Sequence, residues 1–203
     1  MAAGGASGRV PFVGLTGGVG AGKSEALHAL ERLGAATLSA DEVAHEQLQA
    51  DDVRSALVER LGPAVAPGGT VDRDAIARLV FDRPDDRQWL EELLWPRVGA
   101  RVLEWRGEVD AREPRPPAAV VEVPLLFESG MDGVFDHTIA VVADEELRAA
   151  RAGARGHEGV EGRTSRQLGQ DEKAQRADFA VRNDGTLEEL EQAVSRILAT
   201  IGA

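Results

Sequence analysis

The stretch VPFVGLTGGVGAGKSE, residues 10–25, decides the fold of this chain. It opens with an apolar run typical of a buried strand, passes through a glycine-rich loop and continues into a helical pattern. Gly17, four residues, and then Gly22, Lys23 and Ser24 complete the phosphate-loop pattern in the strand–loop–helix context that it requires. The sequence therefore predicts a core that binds a nucleoside triphosphate.

The residue types in this loop suit phosphate chemistry. Glycines let successive backbone N–H groups turn towards phosphate oxygens, and the start of the following helix adds the positive end of its dipole. Lys23 is predicted to bind the β and γ phosphates, and the Ser24 hydroxyl to coordinate the Mg²⁺ that bridges them. The alternative is a glycine-rich turn without a ligand. The predicted phosphate-binding glycines are Gly17, Gly18, Gly20 and Gly22.

Composition excludes several classes of protein. The 203 residues include no cysteine, which excludes disulfides, thiolate metal sites and iron–sulfur clusters. The formal net charge of −12 disfavours general binding to nucleic acid or to anionic membranes. No apolar run is long enough to span a bilayer, and the first residues lack an apolar signal core, so we expect a cytoplasmic protein. The sequence leaves the oligomeric state open.

Apolar runs and helical patterns alternate along the chain, which predicts an α/β fold with a parallel, doubly wound sheet. Residues 41–117 have a mostly helical pattern and are predicted to be a helical insertion. The predicted strands are residues 10–15, 35–38, 118–123, 137–142 and 179–181. The predicted nucleotide-binding core consists of residues 9–40, 118–146 and 177–203.

Parallel sheets bind ligands at the carboxyl ends of their strands, so residues that follow the predicted strands are candidate site residues. Asp41 follows the second strand, where a carboxylate can accept a proton from an attacking hydroxyl or hold Mg²⁺ through water. Alternatively, Asp41 only caps the helix that starts at Glu42. Glu122 closes the third strand and is a candidate for orienting Ser24 and the metal, since a glutamate in an apolar strand is costly unless it is paired.

Residues 147–176 carry a net positive charge in a chain that is negative as a whole, with seven basic residues against four acidic ones. Arg148, Arg151 and Arg155 share one face of a predicted helix, and glycines follow them. This combination is typical of a mobile lid that brings guanidinium groups to a transferring phosphoryl group. The alternative is a solvated, arginine-rich helix.

Five motifs occur along the chain in the order found in one known family. They are GLTGGVGAGKS, ADEVAHE, VDRDAIARLVF, PLLFE and ADFAVRNDGTLEEL. Over residues 10–201 the chain resembles the dephospho-CoA kinases. The resemblance implies Mg²⁺-dependent transfer of the γ-phosphoryl group of ATP to the ribose 3′-hydroxyl of dephospho-CoA, the last step in making coenzyme A. It also implies that the insertion, residues 41–117, binds the acceptor and that residues 147–176 form the lid.

The resemblance assigns roles by position. ATP binding is implied for Gly20, Ala21, Gly22, Lys23, Ser24 and, in the last loop, Asn183. Acceptor binding is implied for Asp41, Asp72 and Arg73. Recurring lid positions are matched by Arg151, Arg155, Arg163, Gln167 and Lys173. The predicted catalytic residues are Lys23, Asp41, Arg155 and Arg163.

Three residues depart from the family pattern. Glu25 stands where threonine is more usual and places a carboxylate beside the predicted ATP phosphates. Ser39 replaces an aspartate, which leaves Asp41 as the one carboxylate at that turn. Trp95 replaces a histidine before Pro96; its indole either packs against the acceptor or belongs to the core.

Two other functions are compatible with a phosphate loop. One is a kinase that phosphorylates a different small metabolite, and the other is a nucleotide-binding switch. A GTPase switch needs an N-K-x-D guanine-reading motif, whereas Asn183 is followed by Asp184. The four histidines have no metal-ligand spacing.

Overall fold

The computed structural model describes residues 9–154 and 167–202. Strands and helices alternate along them, as the sequence predicts. In chain order the main elements are β1 (Phe12–Gly17), α1 (Lys23–Arg32), β2 (Ala36–Ser39), α2 (Ala40–Leu48), α3 (Asp51–Leu61), α4 (Arg73–Phe81), α5 (Pro84–Asp110), β3 (Ala119–Glu122), β4 (His137–Val142), α6 (Glu145–Ala154), α7 (Gln170–Arg176), β5 (Phe179–Arg182) and α8 (Leu187–Ile201). Three short 3₁₀ helices lie at Pro63–Val65, Pro67–Gly69 and Asp132–Val134.

The five strands form one sheet in the order β2-β3-β1-β4-β5. β1 pairs in parallel with β3 on one side and with β4 on the other, and β5 is parallel to β4. The direction of winding therefore changes at β1, and its carboxyl end is the topological switch point at which such sheets bind ligands. The phosphate loop begins there, and the predicted α/β class with a doubly wound parallel sheet is confirmed.

The sheet carries the main apolar core. All six residues of β1 are buried, as expected for a central parallel strand with both faces covered. α8 packs on α1, and its start is defined by a capping box in which Thr186 and Glu189 satisfy each other's backbone N–H groups. The buried residues of this apolar core include Val13, Leu15, Leu27, Leu30, Val120, Ile139, Val141, Leu190 and Val194.

Residues 39–104 form a second compact unit, and residues 105 onwards group with the sheet. The second unit contains α2, α3, α4 and most of α5, which agrees with the predicted helical pattern. It differs from the predicted insertion at its end, because the last part of α5 is tied to the sheet unit: Asp110 accepts a hydrogen bond from the Val10 N–H at 3.0 Å. Its core consists of Leu48, Val53, Leu57, Val65, Val71, Ile76, Val80 and Leu94.

In the two described ranges, no helix has both the length and the apolar character needed to cross a membrane.

Candidate active site

The phosphate loop joins the carboxyl end of β1 to the start of α1. Gly22 is the N-cap residue of α1, in a left-handed conformation with φ 96° and ψ 27°. Glycine has no side chain that could accept hydrogen bonds from the first turn of α1, and a helix N-terminus of this kind favours binding of an anion. The Lys23 ammonium folds back over the loop and donates to the carbonyl oxygen of Gly18 at 3.3 Å. The predicted phosphate-binding residues therefore form one loop around the end of a helix.

Close neighbours also require glycine in this loop. A Cβ atom on Gly17 would meet the main-chain oxygen of Val141 on β4. A Cβ atom on Gly22 would meet the side-chain amide of Asn183. The approach of phosphate is one reason for glycine at these positions, and the close approach of β4 and of the loop after β5 is a second.

Glu122 reaches the phosphate loop from the next strand. It ends β3 and lies opposite Leu15 of β1 in the parallel register. Its Oε1 is 3.9 Å from the Lys23 Nζ, and each side chain is only 12% exposed. The sheet thus brings the predicted metal-orienting carboxylate to the predicted phosphate-binding lysine.

The oxygen donors here fit a magnesium ion that is bound mainly through phosphate. Ser24 presents an exposed hydroxyl in the first turn of α1, and Glu122 supplies a carboxylate nearby. Within residues 9–154 and 167–202, no group of three or more His, Asp or Glu side chains forms a metal cage. Mg²⁺ commonly takes one or two protein oxygens together with substrate phosphates and waters, so this donor set suits it.

Asn183 connects the last strand to the phosphate loop. Its side-chain Nδ2 donates to the carbonyl oxygen of Ala21 at 2.9 Å, and its own carbonyl oxygen accepts a hydrogen bond from Arg151 at 3.0 Å. The residue is 5% exposed. The structure therefore brings together two predicted ATP-site residues, Ala21 and Asn183, and one predicted lid residue, Arg151, with the Asn183 amide directed at the loop backbone.

The next residue, Asp184, joins the loops that follow β4 and β5. Its carboxylate accepts hydrogen bonds from Arg182 at 2.8 Å and from the backbone N–H of Asp144 at 2.6 Å. The hydrogen bond from Arg182, together with that from Asp144, holds the pKa of the Asp184 carboxyl below its usual value. Asp184 thereby fixes the loop that carries Asn183.

Arg148 contacts the phosphate loop although the resemblance assigns it no role. Its Nε donates to the carbonyl oxygen of Val19 at 2.9 Å, and its guanidinium pairs with Glu145 at 2.6 Å. The side chain is 12% exposed and lies against Gly18. Its position on the arginine face predicted for residues 148–155 is the one sequence signal that marked it.

The other predicted lid residues have different surroundings. Lys173 is fully buried in the sheet unit and pairs with Glu128 of the PLLFE motif at 2.9 Å. Arg155 and Arg163 lie outside the described residues. Glu128 belongs to a motif that carries the family resemblance, but no role was predicted for its side chain.

In the helical unit, the capping interpretation of Asp41 is wrong. α2 begins at Ala40, and its N-cap is Ser39, whose hydroxyl accepts from the Glu42 N–H at 3.4 Å. Asp41 lies exposed in the first turn. The helix begins two residues earlier than predicted because Ser39 itself supplies a favourable cap.

The remaining predicted acceptor residues lie on α4 and α5. Asp72 is the N-cap of α4 and accepts hydrogen bonds from the N–H groups of Asp74 and Ala75 at 2.9 and 3.0 Å. Arg73 follows it and is exposed. Trp95 is 45% exposed on α5, which contradicts the alternative that it is a core residue.

Comparison with known proteins identifies the family. A family model described as dephospho-CoA kinase matches residues 11–189. The dephospho-CoA kinase of Symbiobacterium thermophilum is 40% identical over 182 residues, which cover 87% of this chain and 75% of that protein. The solved dephospho-CoA kinase from Campylobacter jejuni has a TM-score of 0.69 at 26% identity, with 94% of this chain and 96% of that chain covered. A solved protein from Thermus thermophilus has a TM-score of 0.78 at 34% identity, with 95% and 98% covered. The chain belongs to the dephospho-CoA kinase family.

Proposed function

We propose that the protein transfers the γ-phosphoryl group of ATP to the ribose 3′-hydroxyl of dephospho-CoA, giving coenzyme A and ADP, with Mg²⁺ as the metal. The observation that carries the proposal is the phosphate loop with Lys23 beside Glu122, in a chain of this family. The proposal places this reaction in the cytoplasm.

The phosphate loop handles the donor. Phosphoryl transfer depends mainly on positioning and on stabilising charge on the transferring group. Backbone N–H groups at the start of α1 bind phosphate oxygens, and Lys23 neutralises charge at the γ position. Ser24 and Glu122 are the residues that would hold Mg²⁺, which supplies Lewis-acid stabilisation of the phosphate oxygens when bound.

The helical unit handles the acceptor. Asp41 is an exposed carboxylate that is not used as a cap, so it is available to orient or deprotonate the attacking hydroxyl. Asp72, Arg73 and Trp95 are proposed to bind dephospho-CoA. The catalytic roles of Arg155 and Arg163 in stabilising the transferring phosphoryl group belong to the same proposal.

A panel of hydroxyl acceptors tests this function. The purified protein is incubated with ATP and Mg²⁺ and with dephospho-CoA, adenosine, pantetheine or shikimate, and the phosphorylated products are identified by mass spectrometry. We expect product only with dephospho-CoA. Faster phosphorylation of another acceptor would reassign the protein to a different small-metabolite kinase, and nucleotide binding without any product would favour a switch.

A further inference from the structure

Lys173 is one of only two lysines in the chain, and it is fully buried. An ammonium group has three N–H donors, and burial is costly unless they are satisfied. The Lys173 Nζ lies 2.9 Å from Glu128 Oε1, 2.7 Å from the carbonyl oxygen of Pro124 and 3.5 Å from the Thr16 hydroxyl. The side chain therefore has three partners, one of which carries the opposite charge.

Two of these partners, Thr16 and Pro124, lie at the ends of the two strands that carry the candidate active site. Thr16 precedes Gly17, where the phosphate loop begins, and Pro124 follows Glu122 by two residues. The Thr16 hydroxyl also donates to the carbonyl oxygen of Pro124 at 3.3 Å. The ammonium thus closes a small hydrogen-bonded triangle between the end of β1 and the end of β3.

Glu128 extends this network to α7. Its Oε1 also accepts the N–H of Leu168 at 2.8 Å, just before the helix that carries Lys173. Gln170 is the first residue of α7, and its side chain exchanges two hydrogen bonds with the backbone of Ala143, at 2.8 and 2.9 Å. α7 is therefore fixed to the chain segments that follow β3 and β4.

We propose that Lys173 and Glu128 form a buried positioning pair that holds Glu122 against the phosphate loop. A well-packed apolar pair of similar volume is often as stable as a buried ion pair, so stability alone does not require these charges. The ammonium instead fixes the geometry. Its hydrogen bonds define where the Pro124 carbonyl, and hence the end of β3, lies relative to β1. Lys173 acts on the reaction through Glu122 and Lys23 and does not itself touch substrate.

The test separates positioning from folding. Lys173→Met alone leaves a buried carboxylate without its counter-ion and is expected to lower Tm. The double variant Lys173→Met/Glu128→Gln removes both charges and is expected to recover most of that Tm. The matched control is Arg32→Met/Glu191→Gln, which removes an exposed ion pair of 2.6 Å on α1 and α8.

For the double variant we expect kcat/KM for ATP to fall by roughly 10- to 100-fold, the range typical of residues that orient a metal site. The Mg²⁺ concentration at half-maximal rate should rise with it, and the control should keep wild-type values. A double variant that regains both Tm and wild-type kcat/KM would overturn the proposal, because the pair would then serve only the fold.

A second variant covers the case in which the double variant does not fold. Glu128→Asp keeps the charge but shortens the side chain, and we expect a lower kcat/KM at a Tm close to that of the wild type; wild-type kcat/KM in it would overturn the proposal. The inference rests on the proposed function for its kinetic readout. Calorimetric binding of Mg²⁺–ADP distinguishes failure of the positioning pair from failure of the proposed function. If the wild type did not phosphorylate dephospho-CoA, the proposed function would fail. Weaker Mg²⁺–ADP binding by the double variant than by the wild type would still support the positioning pair.

Discussion

At the scale of single residues, Ser39 and Asp41 have separate tasks at the start of α2. Ser39 accepts a backbone hydrogen bond as N-cap, and Asp41 lies exposed two residues later. A hydroxyl is a good N-cap, so a serine at this position leaves the helix start intact without a second carboxylate. Capping thus explains why serine is compatible with the helix start at this position of the family motif, and Asp41 remains available for chemistry.

These tasks can be separated by mutation. Asp41→Asn should lower kcat by roughly 10²- to 10⁴-fold, because it removes a general base while keeping the shape of the side chain. Ser39→Ala should lower the free energy of unfolding by about 0.5–2 kcal/mol through loss of the cap. Steady-state kinetics and urea denaturation of both variants check this. Near-wild-type kcat in Asp41→Asn would remove Asp41 from the chemistry.

Glu122 is expected to act through the metal. Glu122→Gln keeps the size of the side chain but removes the charge beside Lys23, so the Mg²⁺ concentration at half-maximal rate should rise by roughly 10- to 100-fold. A magnesium titration of the initial rate measures this. Glu191→Gln, on the exposed surface of α8, is the control. An unchanged titration in Glu122→Gln would assign the carboxylate to the fold alone.

At the scale of elements, α6 packs directly on the phosphate loop. A Cβ atom on Gly20 would meet the main-chain oxygen of Arg148, and Gly20 has a φ of +75°. A Cβ atom on Gly18 would instead meet the Arg148 guanidinium at 2.9 Å, the far end of a long side chain. The two glycines therefore differ in how replaceable they are.

We expect Gly18→Ala to be tolerated and Gly20→Ala to be damaging. The left-handed backbone alone should cost Gly20→Ala about 1–2 kcal/mol, and the clash with α6 should add to it. Gly68→Ala is the matched control, since Gly68 has a φ of +65° and a Cβ atom there would meet no other part of the described chain within 4 Å. Chemical denaturation measures the loss in free energy of unfolding for each variant, and ADP titration measures the loss in ADP affinity. Equal losses in Gly18→Ala and Gly20→Ala would contradict this account of the packing.

Elements with strong local signals were predicted well. The bounds of β4 agree with the predicted strand over residues 137–142, because a local apolar run defines them. β1 begins two residues later than predicted, since Pro11 has no N–H for the sheet and pairing starts at Phe12. α7 was missed because its sequence, QDEKAQR, is polar and its only buried residue is a lysine held by distant partners.

At the scale of the whole molecule, the chain divides into a sheet unit and a helical unit. Trp89 and Trp95 belong to the helical unit, whereas Trp105 groups with the sheet and is 5% exposed. The sequence placed all three in the insertion, because the helical pattern of α5 continues through Trp105 without a break. With no tyrosine in the chain, these indoles report on each unit by fluorescence.

Binding of the acceptor should therefore change the emission of Trp95, which is 45% exposed. We expect dephospho-CoA to alter the fluorescence strongly, a nonhydrolysable ATP analogue to alter it weakly, and Trp95→Phe to lose most of the dephospho-CoA response. Titrations of the wild type and of the three single Trp→Phe variants provide the comparison. A response that survives in Trp95→Phe and vanishes in Trp89→Phe would exclude Trp95 from the acceptor site.

The sequence predicted the parts of the candidate site that are local in the chain. Gly17 to Ser24 are recognisable because their spacing is a motif. Two contacts between distant segments were not predicted: Arg148 with Val19 and Lys173 with Pro124 join residues 129 and 49 positions apart. Only the folded sheet brings such pairs together, and no periodicity in the sequence encodes them.

The central claim is tested most directly by following both products of one reaction. Wild-type protein and Lys23→Ala are incubated with ATP, Mg²⁺ and dephospho-CoA, and coenzyme A and ADP are quantified by liquid chromatography with mass spectrometry. We predict that the wild type forms coenzyme A and ADP in equal amounts and that folded Lys23→Ala forms almost none. ADP without coenzyme A from the wild type, or an undiminished yield of coenzyme A from Lys23→Ala, would contradict the account.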